Sequence, residues 1–504
     1  MARNQTKKLR RLQEKVGVIM EFNLKNANEF IEKNKESINK KFFPKINYAA
    51  PIGWINDPNG VSVKDEYYHL FYQHYPYDAC HGPMHWGHAR TKDGLVWENL
   101  PVALAPDMAY DKNGVFSGSA IFVEDELYLM YTGHLTETDH GQVRQNQNIA
   151  KSKDYINFEK YANNPVLDEK DLPANISKED FRDPKVFKKD GKYYAVIGTK
   201  TDDKIGTVLL YESEDMLAWT YKSILISDEA YLGDMAECPD LLLFEDNKAV
   251  LLVSAMNYNY QGKKHPHKTM LIEGRMDWDN YKFLAESTRE MDFGFDYYAP
   301  QSAKEDGDYF AIAWNQAWGS SLIPGEEGHK WMGQMTIPQL IFEEDGKIKR
   351  TIHPKALAKK TLVKKEKISE GPISLENGNF IEFETKQRGL LKLSLANDKE
   401  AFDFNFDLAN NKASFDRSKM AYKIKTEHGF DINKKSFDLD FNDENKFKII
   451  VDRSSIQVYI NDDYSISNTY YSDSELDRII IEEKDLLDEI RIYDLLGENK
   501  CMEQ

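Results

Sequence analysis

The chain has 504 residues, enough for about two or three domains with a substantial core. Its formal net charge of −18 excludes a broad surface for nucleic acids or anionic membranes, and its three cysteines, Cys80, Cys238 and Cys501, exclude a disulfide framework. No apolar run reaches the roughly 20 residues of a membrane span, and the one after the basic N-terminus is too short for a signal peptide. The sequence therefore predicts a cytoplasmic protein without nucleic-acid or membrane partners.

Residues 1–43 carry a helical pattern. Apolar residues between Leu9 and Ile19 fall on one face, and a second, polar stretch covers 26–41. We expect an N-terminal helical extension that lies on the main domain as a charged, solvated helix.

A turn with acidic residues, followed by an apolar strand, occurs five times between residues 44 and 352. The turn aspartates are Asp65, Asp125, Asp190, Asp246 and Asp306. Repeats of several strands each indicate radial repetition, and we find no sustained helical period between them. The sequence therefore predicts an all-β fold that begins with a five-bladed β-propeller over 44–352.

The pattern changes after the propeller. Residues 353–368 are lysine-rich and predict a helical linker. Strands that alternate with polar turns follow over 369–504, which predicts a C-terminal β-sandwich. We expect this domain to pack against the propeller rather than to bind sugar directly.

Asp57 stands in a stretch rich in proline and glycine, residues 51–60, which predicts a tight turn that runs into a strand at 61–63. Aromatic, amide and carboxylate side chains in one turn suit a sugar, which needs an apolar face, hydrogen bonds and an acid group. For an isolated Asn-Asp-Pro, an Asx-turn without catalytic function is the more common explanation.

Two further acids occupy the same place in the repeat. Asp183 and Glu237 stand seven and nine residues before a turn aspartate, and Asp57 stands eight before one. If these strands are the innermost of each blade, their entrances surround one end of the propeller axis. The three carboxylates would then meet in one funnel, although they are far apart in sequence.

Three carboxylates in one funnel point to glycoside hydrolysis. One acid protonates the leaving oxygen, a second carboxylate attacks the anomeric carbon or activates water, and a third stabilises charge. Asp57 suits the nucleophile. Glu237, beside apolar Cys238, suits an acid with a raised pKa, and Asp183, beside Arg182, suits a firmly ionised clamp for hydroxyl groups.

Eight motifs occur in one order along the chain. They are Trp-Ile-Asn-Asp-Pro-Asn-Gly at 54–60, His-Leu-Phe-Tyr-Gln at 69–73, His-Trp-Gly-His-Ala at 85–89, Phe-Ser-Gly-Ser-Ala at 116–120, Phe-Arg-Asp-Pro at 181–184, Glu-Cys-Pro-Asp at 237–240, Phe-Asp-Tyr-Tyr-Ala-Pro-Gln at 295–301 and Asp-Arg-Ser-Ser at 452–455. On these motifs the chain resembles glycoside hydrolase family 32, the β-fructofuranosidases, which include invertases, sucrose-6-phosphate hydrolases and inulinases.

The resemblance implies a five-bladed propeller with a β-sandwich and a retaining hydrolase that forms a covalent fructosyl-enzyme. Its substrates would be sucrose, sucrose 6-phosphate or short fructo-oligosaccharides. Asp57 would be the nucleophile, Glu237 the acid/base and Asp183 the transition-state stabiliser. The fructose contacts it implies are Asn56, Gln73, Trp86, Phe116, Ser117, Arg182 and Trp314. It implies no metal and no cofactor.

The chain departs from the family pattern at three places. Ser-Ala-Met-Asn at 254–257 replaces a more usual Ser-Pro-Gln-Gly, on what we expect to be the leaving-group side. Gln339 and Gln457 stand where arginine and glutamate are frequent. The segments 82–88 and 100–106 look most like the bacterial intracellular enzymes that cleave sucrose 6-phosphate or short fructans.

Other functions fit less of the sequence. A fructosyltransferase would use the same carboxylates, and a non-catalytic propeller lectin would not need all three. Cys238 as a nucleophile has no predictable histidine partner, and His81, His85 and His88 in one loop are more often structural or substrate-contacting than metal ligands. The sequence leaves open the need for a 6-phosphate and the oligomeric state.

Overall fold

The computed structural model describes residues 21–136, 141–260, 263–367, 371–376, 378–426, 431–482, 484–487 and 489–497. Among these residues, no helix has both the length and the apolar character needed to cross a bilayer.

The N-terminal extension contains one described helix, α1 (Leu24–Asn34), which a short 3₁₀ turn, Lys35–Ser37, continues. The Asn23 side chain caps it by accepting a hydrogen bond from the Asn26 N–H at 2.9 Å. The predicted helix at 26–41 is therefore too long, because the chain is irregular after residue 37. The apolar face between Leu9 and Ile19 lies outside the described residues.

Residues 53–352 form five β-sheets. The first sheet contains β1 (Gly53–Lys64), β2 (Tyr67–Tyr75), β3 (His85–Thr91), β4 (Trp97–Leu104) and the short β19 (Trp331–Met332); the second contains β5 (Val115–Val123), β6 (Glu126–Leu135), β7 (Arg144–Ser152) and β8 (Glu159–Lys160). The third contains β9 (Ile176–Lys189), β10 (Lys192–Thr201), β11 (Gly206–Ser213) and β12 (Trp219–Ser227); the fourth contains β13 (Met235–Leu243), β14 (Lys248–Tyr260), β15 (Lys263–Asp277) and β16 (Lys282–Glu290). The fifth contains β17 (Tyr298–Glu305), β18 (Asp308–Trp314), β20 (Gln339–Glu344) and β21 (Lys347–Ile352). Short helices are 3₁₀ turns at Glu169–Asp171, Ala230–Leu232 and Glu245–Asn247, and the α-helical turns α2 (Ile323–Glu326) and α3 (Pro354–Leu357).

The first strands of the five sheets, β1, β5, β9, β13 and β17, lie side by side around one axis. Each contacts the next in chain order, and β17 contacts β1, which closes the ring. The short β19 then pairs in parallel with β1, so the end of the ring also joins its beginning. The arrangement is a β-propeller, which confirms the predicted fold class.

The repeated aspartate turns connect the first and second strands of each sheet. Four of them are two-residue loops, and their first residues, Asp65, Glu124, Asp190 and Asp306, have φ of 51°, 54°, 49° and 49°. Such turns match the twist of the flanking strands. The repeat found in the sequence is therefore one hairpin turn per sheet.

The second domain is a sandwich of two six-stranded sheets, as predicted. In spatial order, one sheet contains β22 (Thr361–Lys367), β33 (Glu489–Asp494), β24 (Asn379–Thr385), β29 (Asn445–Val451), β30 (Ser455–Ile460) and β31 (Tyr464–Thr469). The other sheet contains β23 (Ile373–Ser374), β32 (Arg478–Glu482), β25 (Leu390–Ala396), β26 (Ala401–Asp407), β27 (Lys412–Asp416) and β28 (Lys434–Asp438). A 3₁₀ turn spans Lys484–Leu486. Strand β26 shows how the core forms, because Phe402, Phe404 and Phe406 are buried and the residues between them are not.

The helical linker predicted at 353–368 is wrong beyond α3. Residues 361–367 form β22, an edge strand that pairs antiparallel with β33. The reason lies in the position of this segment, Thr-Leu-Val-Lys-Lys-Glu-Lys, at the edge of its sheet, where lysine side chains can reach solvent.

Polar contacts fix the sandwich to the propeller. Asp452 accepts hydrogen bonds from the N–H groups of residues 45, 46 and 47, at 2.7, 3.1 and 2.9 Å, just before the chain enters β1. Arg417 forms a fully buried ion pair with Asp296, just before β17. The motif at 452–455 thus joins the domains.

Candidate active site

Each of the five innermost strands has a bulge at the same level, where its pairing with the second strand shifts register. The shifts lie between Ile55 and Pro58, Phe116 and Gly118, Arg182 and Lys185, Glu237 and Asp240, and Tyr298 and Gln301. A bulge re-aims side chains that a regular strand would alternate between its faces. Asp57 therefore lies within one bulged strand, β1, and the turn predicted at 51–60 is wrong.

A cavity of about 530 Å³ opens at the level of these bulges. Nine of the ten predicted site residues line it, namely Asn56, Asp57, Gln73, Phe116, Ser117, Arg182, Asp183, Glu237 and Trp314. They come from all five sheets, and Trp314 is the one member from the fifth, so the ring gathers groups that are distant in sequence.

Trp86 does not line this cavity, contrary to the prediction. It is fully buried, and its Nε1–H donates a hydrogen bond to the Phe116 carbonyl at 3.1 Å. Its ring lies against Phe71 and Tyr131 in the core between two sheets. Trp86 therefore supports the strand that carries Phe116 and Ser117.

Asp57 is 9% exposed and accepts a hydrogen bond from Ser117 Oγ at 3.1 Å through Oδ2. The Sγ atom of Cys238 lies 3.8 Å from the same oxygen. No described residue donates a hydrogen bond to the buried Oδ1. Burial and, next, the negative charge of Glu237 raise the pKa of Asp57 to about 7.

Glu237 is held through both of its oxygens. The Nη2 group of Arg182 donates to Oε1 at 2.7 Å, and the hydroxyl of Tyr298 donates to Oε2. Arg182 also forms an ion pair with Asp180, so two carboxylates hold the guanidinium. Tyr298 is fully buried, and burial together with the charge of Glu237 raises its pKa well above the usual value.

Asp183 sits in the left-handed backbone region, with φ of 63°, at the bulge of β9. Its Oδ2 accepts a hydrogen bond from the Cys238 N–H at 3.0 Å, and its own N–H donates to Thr132 Oγ1 at 3.0 Å. Cys238 therefore touches Asp183 through its backbone and Asp57 through its thiol.

The electrostatics differ from those expected from the sequence. Arg182 bonds Glu237 directly, whereas its Nε lies 3.8 Å from Asp183. Burial raises the pKa of Asp183 to about 6, against the opposing effect of Arg182. The structure does not support the expectation that Arg182 keeps Asp183 firmly ionised, because the guanidinium points at Glu237 and burial raises the pKa of Asp183.

Comparison with known proteins identifies the family. Residues 48–353 match the model of the glycosyl hydrolases family 32 N-terminal domain, and residues 348–494 match that of the family 32 C-terminal domain. The chain belongs to glycoside hydrolase family 32. Within the family, it is 32% identical to a sucrose-6-phosphate hydrolase of Zymomonas mobilis, over 88% of this chain and 89% of that one. It is also 32% identical to a raffinose invertase of Escherichia coli, over 90% and 95% of the two chains.

Solved structures of family 32 share the fold. The β-fructofuranosidase of Bombyx mori superposes with a TM-score of 0.79 at 28% identity, covering 93% of this chain and 97% of that one. The sucrose-6-phosphate hydrolase of Lactobacillus gasseri gives a TM-score of 0.83 at 24% identity, with 94% and 99% covered, and shows the fold alone.

Several residues that line this family 32 cavity do not appear among the predicted contacts. They include Trp54, His81, His134, Gln145, Met256 and Trp318. His134 stacks on Phe116 with ring centroids 4.1 Å apart. Burial lowers the pKa of His81 to about 4 and that of His134 to about 3, so both rings are neutral near pH 7. No local pattern marks His134 or Gln145, whereas Trp54 and Tyr298 stand inside motifs that the sequence does reveal.

The three departures from the family 32 pattern fall in two places. Met256 lines the cavity, and its Sδ lies 3.5 Å from Arg182 Nη2. Gln339 and Gln457 lie instead at the domain interface, where Gln339 bonds Tyr297 and Tyr459 and Gln457 bonds Asn47. Only the first departure can affect the substrate directly.

Proposed function

We propose that this chain is a retaining β-fructofuranosidase, which hydrolyses the bond between a terminal non-reducing β-D-fructofuranosyl unit and its leaving group. The observation that carries the proposal is the meeting of Asp57, Asp183 and Glu237, from three different sheets, in one cavity. Two carboxyl groups are the minimum for glycoside hydrolysis, and a third can stabilise the oxocarbenium-like transition state.

In the first step, Asp57 attacks the anomeric carbon of fructose, and Glu237 gives its proton to the glycosidic oxygen. The bond to the leaving group breaks, and an ester forms between fructose and Asp57. The arrangement around Asp57 suits this role, because Ser117 fixes one oxygen while no described donor engages the other. Asp183 stabilises the positive charge that develops on the ring.

In the second step, Glu237 takes a proton from water, which attacks the same carbon and breaks the ester. Two inversions give overall retention. Arg182 and Tyr298, which contact the two oxygens of Glu237, hold this carboxyl group in place for both proton transfers.

The charges that line the cavity favour a neutral substrate. Five acidic side chains, those of Asp57, Glu179, Asp180, Asp183 and Glu237, face one guanidinium, that of Arg182, among the described lining residues. Because Arg182 is already paired with Glu237 and Asp180, a phosphate dianion would meet net repulsion. We therefore propose sucrose and short fructo-oligosaccharides as the preferred substrates, ahead of sucrose 6-phosphate.

The names of the relatives support the reaction type. The Escherichia coli relative is named a raffinose invertase, the Zymomonas mobilis relative a sucrose-6-phosphate hydrolase, and the Bombyx mori structure a β-fructofuranosidase. We also propose that the protein acts in the cytoplasm, which is consistent with its low and odd number of cysteines, three in 504 residues. Cell fractionation would test the location.

Turnover of sucrose by wild type and by Asp57→Asn tests the function. We expect wild type to release fructose and glucose in equal amounts, and Asp57→Asn to lose roughly 10⁴-fold in kcat. Asp190→Asn, in the turn of the same sheet as Asp183, is the matched control and should keep full activity. Fructosyl oligosaccharides as main products would indicate a transferase, and an active Asp57→Asn would overturn the assignment of the nucleophile.

A further inference from the structure

Trp318 lies at the mouth of the cavity, on the segment 315–322 between β18 and α2. Its ring stacks on that of Trp54, with centroids 5.7 Å apart and an angle of 26° between the planes. Trp54 and Trp314 are 1% and 0% exposed, whereas Trp318 is only partly buried. An aromatic wall therefore extends from the region of the carboxylates to the opening.

The C-terminal sandwich holds this segment in place. The Ser321 N–H donates a hydrogen bond to the Lys425 carbonyl at 2.8 Å, and the Lys425 N–H donates to Ser321 Oγ at 2.8 Å. Next to this pair, Ser320 and Thr426 form an antiparallel bridge. Lys425 and Thr426 belong to the connection between β27 and β28, so the contact joins the two domains directly at the mouth of the cavity.

The sandwich side of this contact is itself well anchored. Ile424, beside Lys425, is 3% exposed and packs in a cluster with Phe42 and Trp331. Its carbonyl accepts a hydrogen bond from Asn433 Nδ2 at 2.9 Å. The sandwich therefore offers a fixed point to which the segment carrying Trp318 is attached.

We infer that the C-terminal domain shapes the leaving-group side of the site, by holding Trp318 through the positioning residue Ser321. The inference rests on the proposed function, in which the fructosyl unit lies against Asp57 and the leaving group points toward the mouth. There the partly exposed ring of Trp318 offers an apolar face to the departing sugar, as aromatic side chains do in binding pockets.

Steady-state kinetics on sucrose with Ser321→Ala, Trp318→Leu and the double variant test this inference. Loss of one hydrogen bond should raise the KM of Ser321→Ala about three- to tenfold, with kcat changed less than about twofold. The inhibition constant of fructose should stay at the wild-type value, because fructose binds at the carboxylates. Ser321→Thr, which restores the hydroxyl, should restore KM.

A matched control is Ser394→Ala, which loses a hydrogen bond to Asp403 at 2.6 Å within the sandwich and should leave KM unchanged. In the double variant, Ser321→Ala should add nothing to the effect of Trp318→Leu. The inference is overturned if Ser321→Ala has the KM of wild type. It is also overturned if Ser321→Ala still raises KM when it is added to Trp318→Leu. Should Ser321→Ala fail to fold, an unchanged KM in Trp318→Leu overturns it. A wild type that does not cleave sucrose instead refutes the proposed function.

Discussion

Arg182 Nη2 lies 2.7 Å from Glu237 Oε1, although the two residues belong to innermost strands of different sheets. The same guanidinium pairs with Asp180, and its Nε is 3.8 Å from Asp183. One cation therefore links the third and fourth sheets across the floor of the cavity and neutralises part of its negative charge.

Replacing Arg182 by Met should impair catalysis and shift its pH dependence. We expect kcat/KM for sucrose to fall roughly 10- to 100-fold, the usual effect of losing a hydrogen bond to a charged group. The positive charge lowers the pKa of Asp183, so its removal should raise that pKa and move the acidic limb of the pH–rate profile to higher pH. Arg90→Met, which breaks a pair with Glu98 on the first sheet, is the control. An unshifted acidic limb would contradict the prediction.

Asp57→Asn should be more stable than wild type in alkaline solution. The pKa of Asp57 is raised from its ordinary value of 3.8 to about 7, so the folded state binds more protons than the unfolded state between these values. Stability of wild type therefore falls as pH rises from about 4 to about 7 and then levels off. Urea unfolding should show the variant stabilised by roughly 2–4 kcal/mol at pH 8 and hardly at all near pH 4. An equal difference at both pH values would refute this explanation.

Sucrose and sucrose 6-phosphate should differ in their response to salt. Because carboxylates outnumber the guanidinium among the described cavity residues, kcat/KM for the phosphorylated substrate should be the lower one. It should rise several-fold between about 10 and 300 mM salt as the charges are screened. The value for sucrose, which carries no charge, serves as the internal control and should stay constant. A phosphorylated substrate that is preferred at low salt would disprove the proposal of a neutral substrate.

Asp296→Asn should destabilise the whole chain. Arg417 and Asp296 are 1% and 2% exposed, so the substitution leaves a buried guanidinium without its counter-charge. We expect a loss of roughly 3–5 kcal/mol in the free energy of unfolding. Glu286→Gln provides the control, because its pair with Arg275 is 52% and 64% exposed and should contribute roughly 0–1 kcal/mol. Comparable losses in both variants would argue against the importance of the buried pair.

The fold could be predicted because its signals are local. A two-residue turn with positive φ favours Asp, Asn or Gly, and the turns at Asp65, Asp190 and Asp306 show this preference, although Glu124 occupies the same place in one turn. Alternating patterns on both sides of each turn then mark the strands. The segment 361–367 escaped prediction since its lysines suit an edge strand and a solvated helix equally well.

Only site residues that stand inside recognisable motifs could be predicted from the sequence, and a motif does not settle which way a side chain points. Trp86 stands in a clear motif, yet which side of β3 faces the cavity depends on the packing between sheets and not on the motif. His134 enters the site because the end of β6 lies beside Phe116, a neighbour that no spacing in the sequence reveals. The guanidinium of Arg182 lies 2.7 Å from Glu237 and 3.8 Å from Asp183, and no sequence pattern reveals a difference of about one ångström.

The hairpin turns also define the opposite end of the propeller. Asp57 and Asp65 are eight residues apart on one extended strand, which corresponds to roughly 25 Å. At Gly191 and Gly307, in two of these turns, an added Cβ would meet no atom within 4 Å. A tag, a linker or a surface attached at these turns would leave the mouth of the cavity accessible to substrate. The end of the propeller that carries the hairpin turns is therefore the suitable place for such attachments.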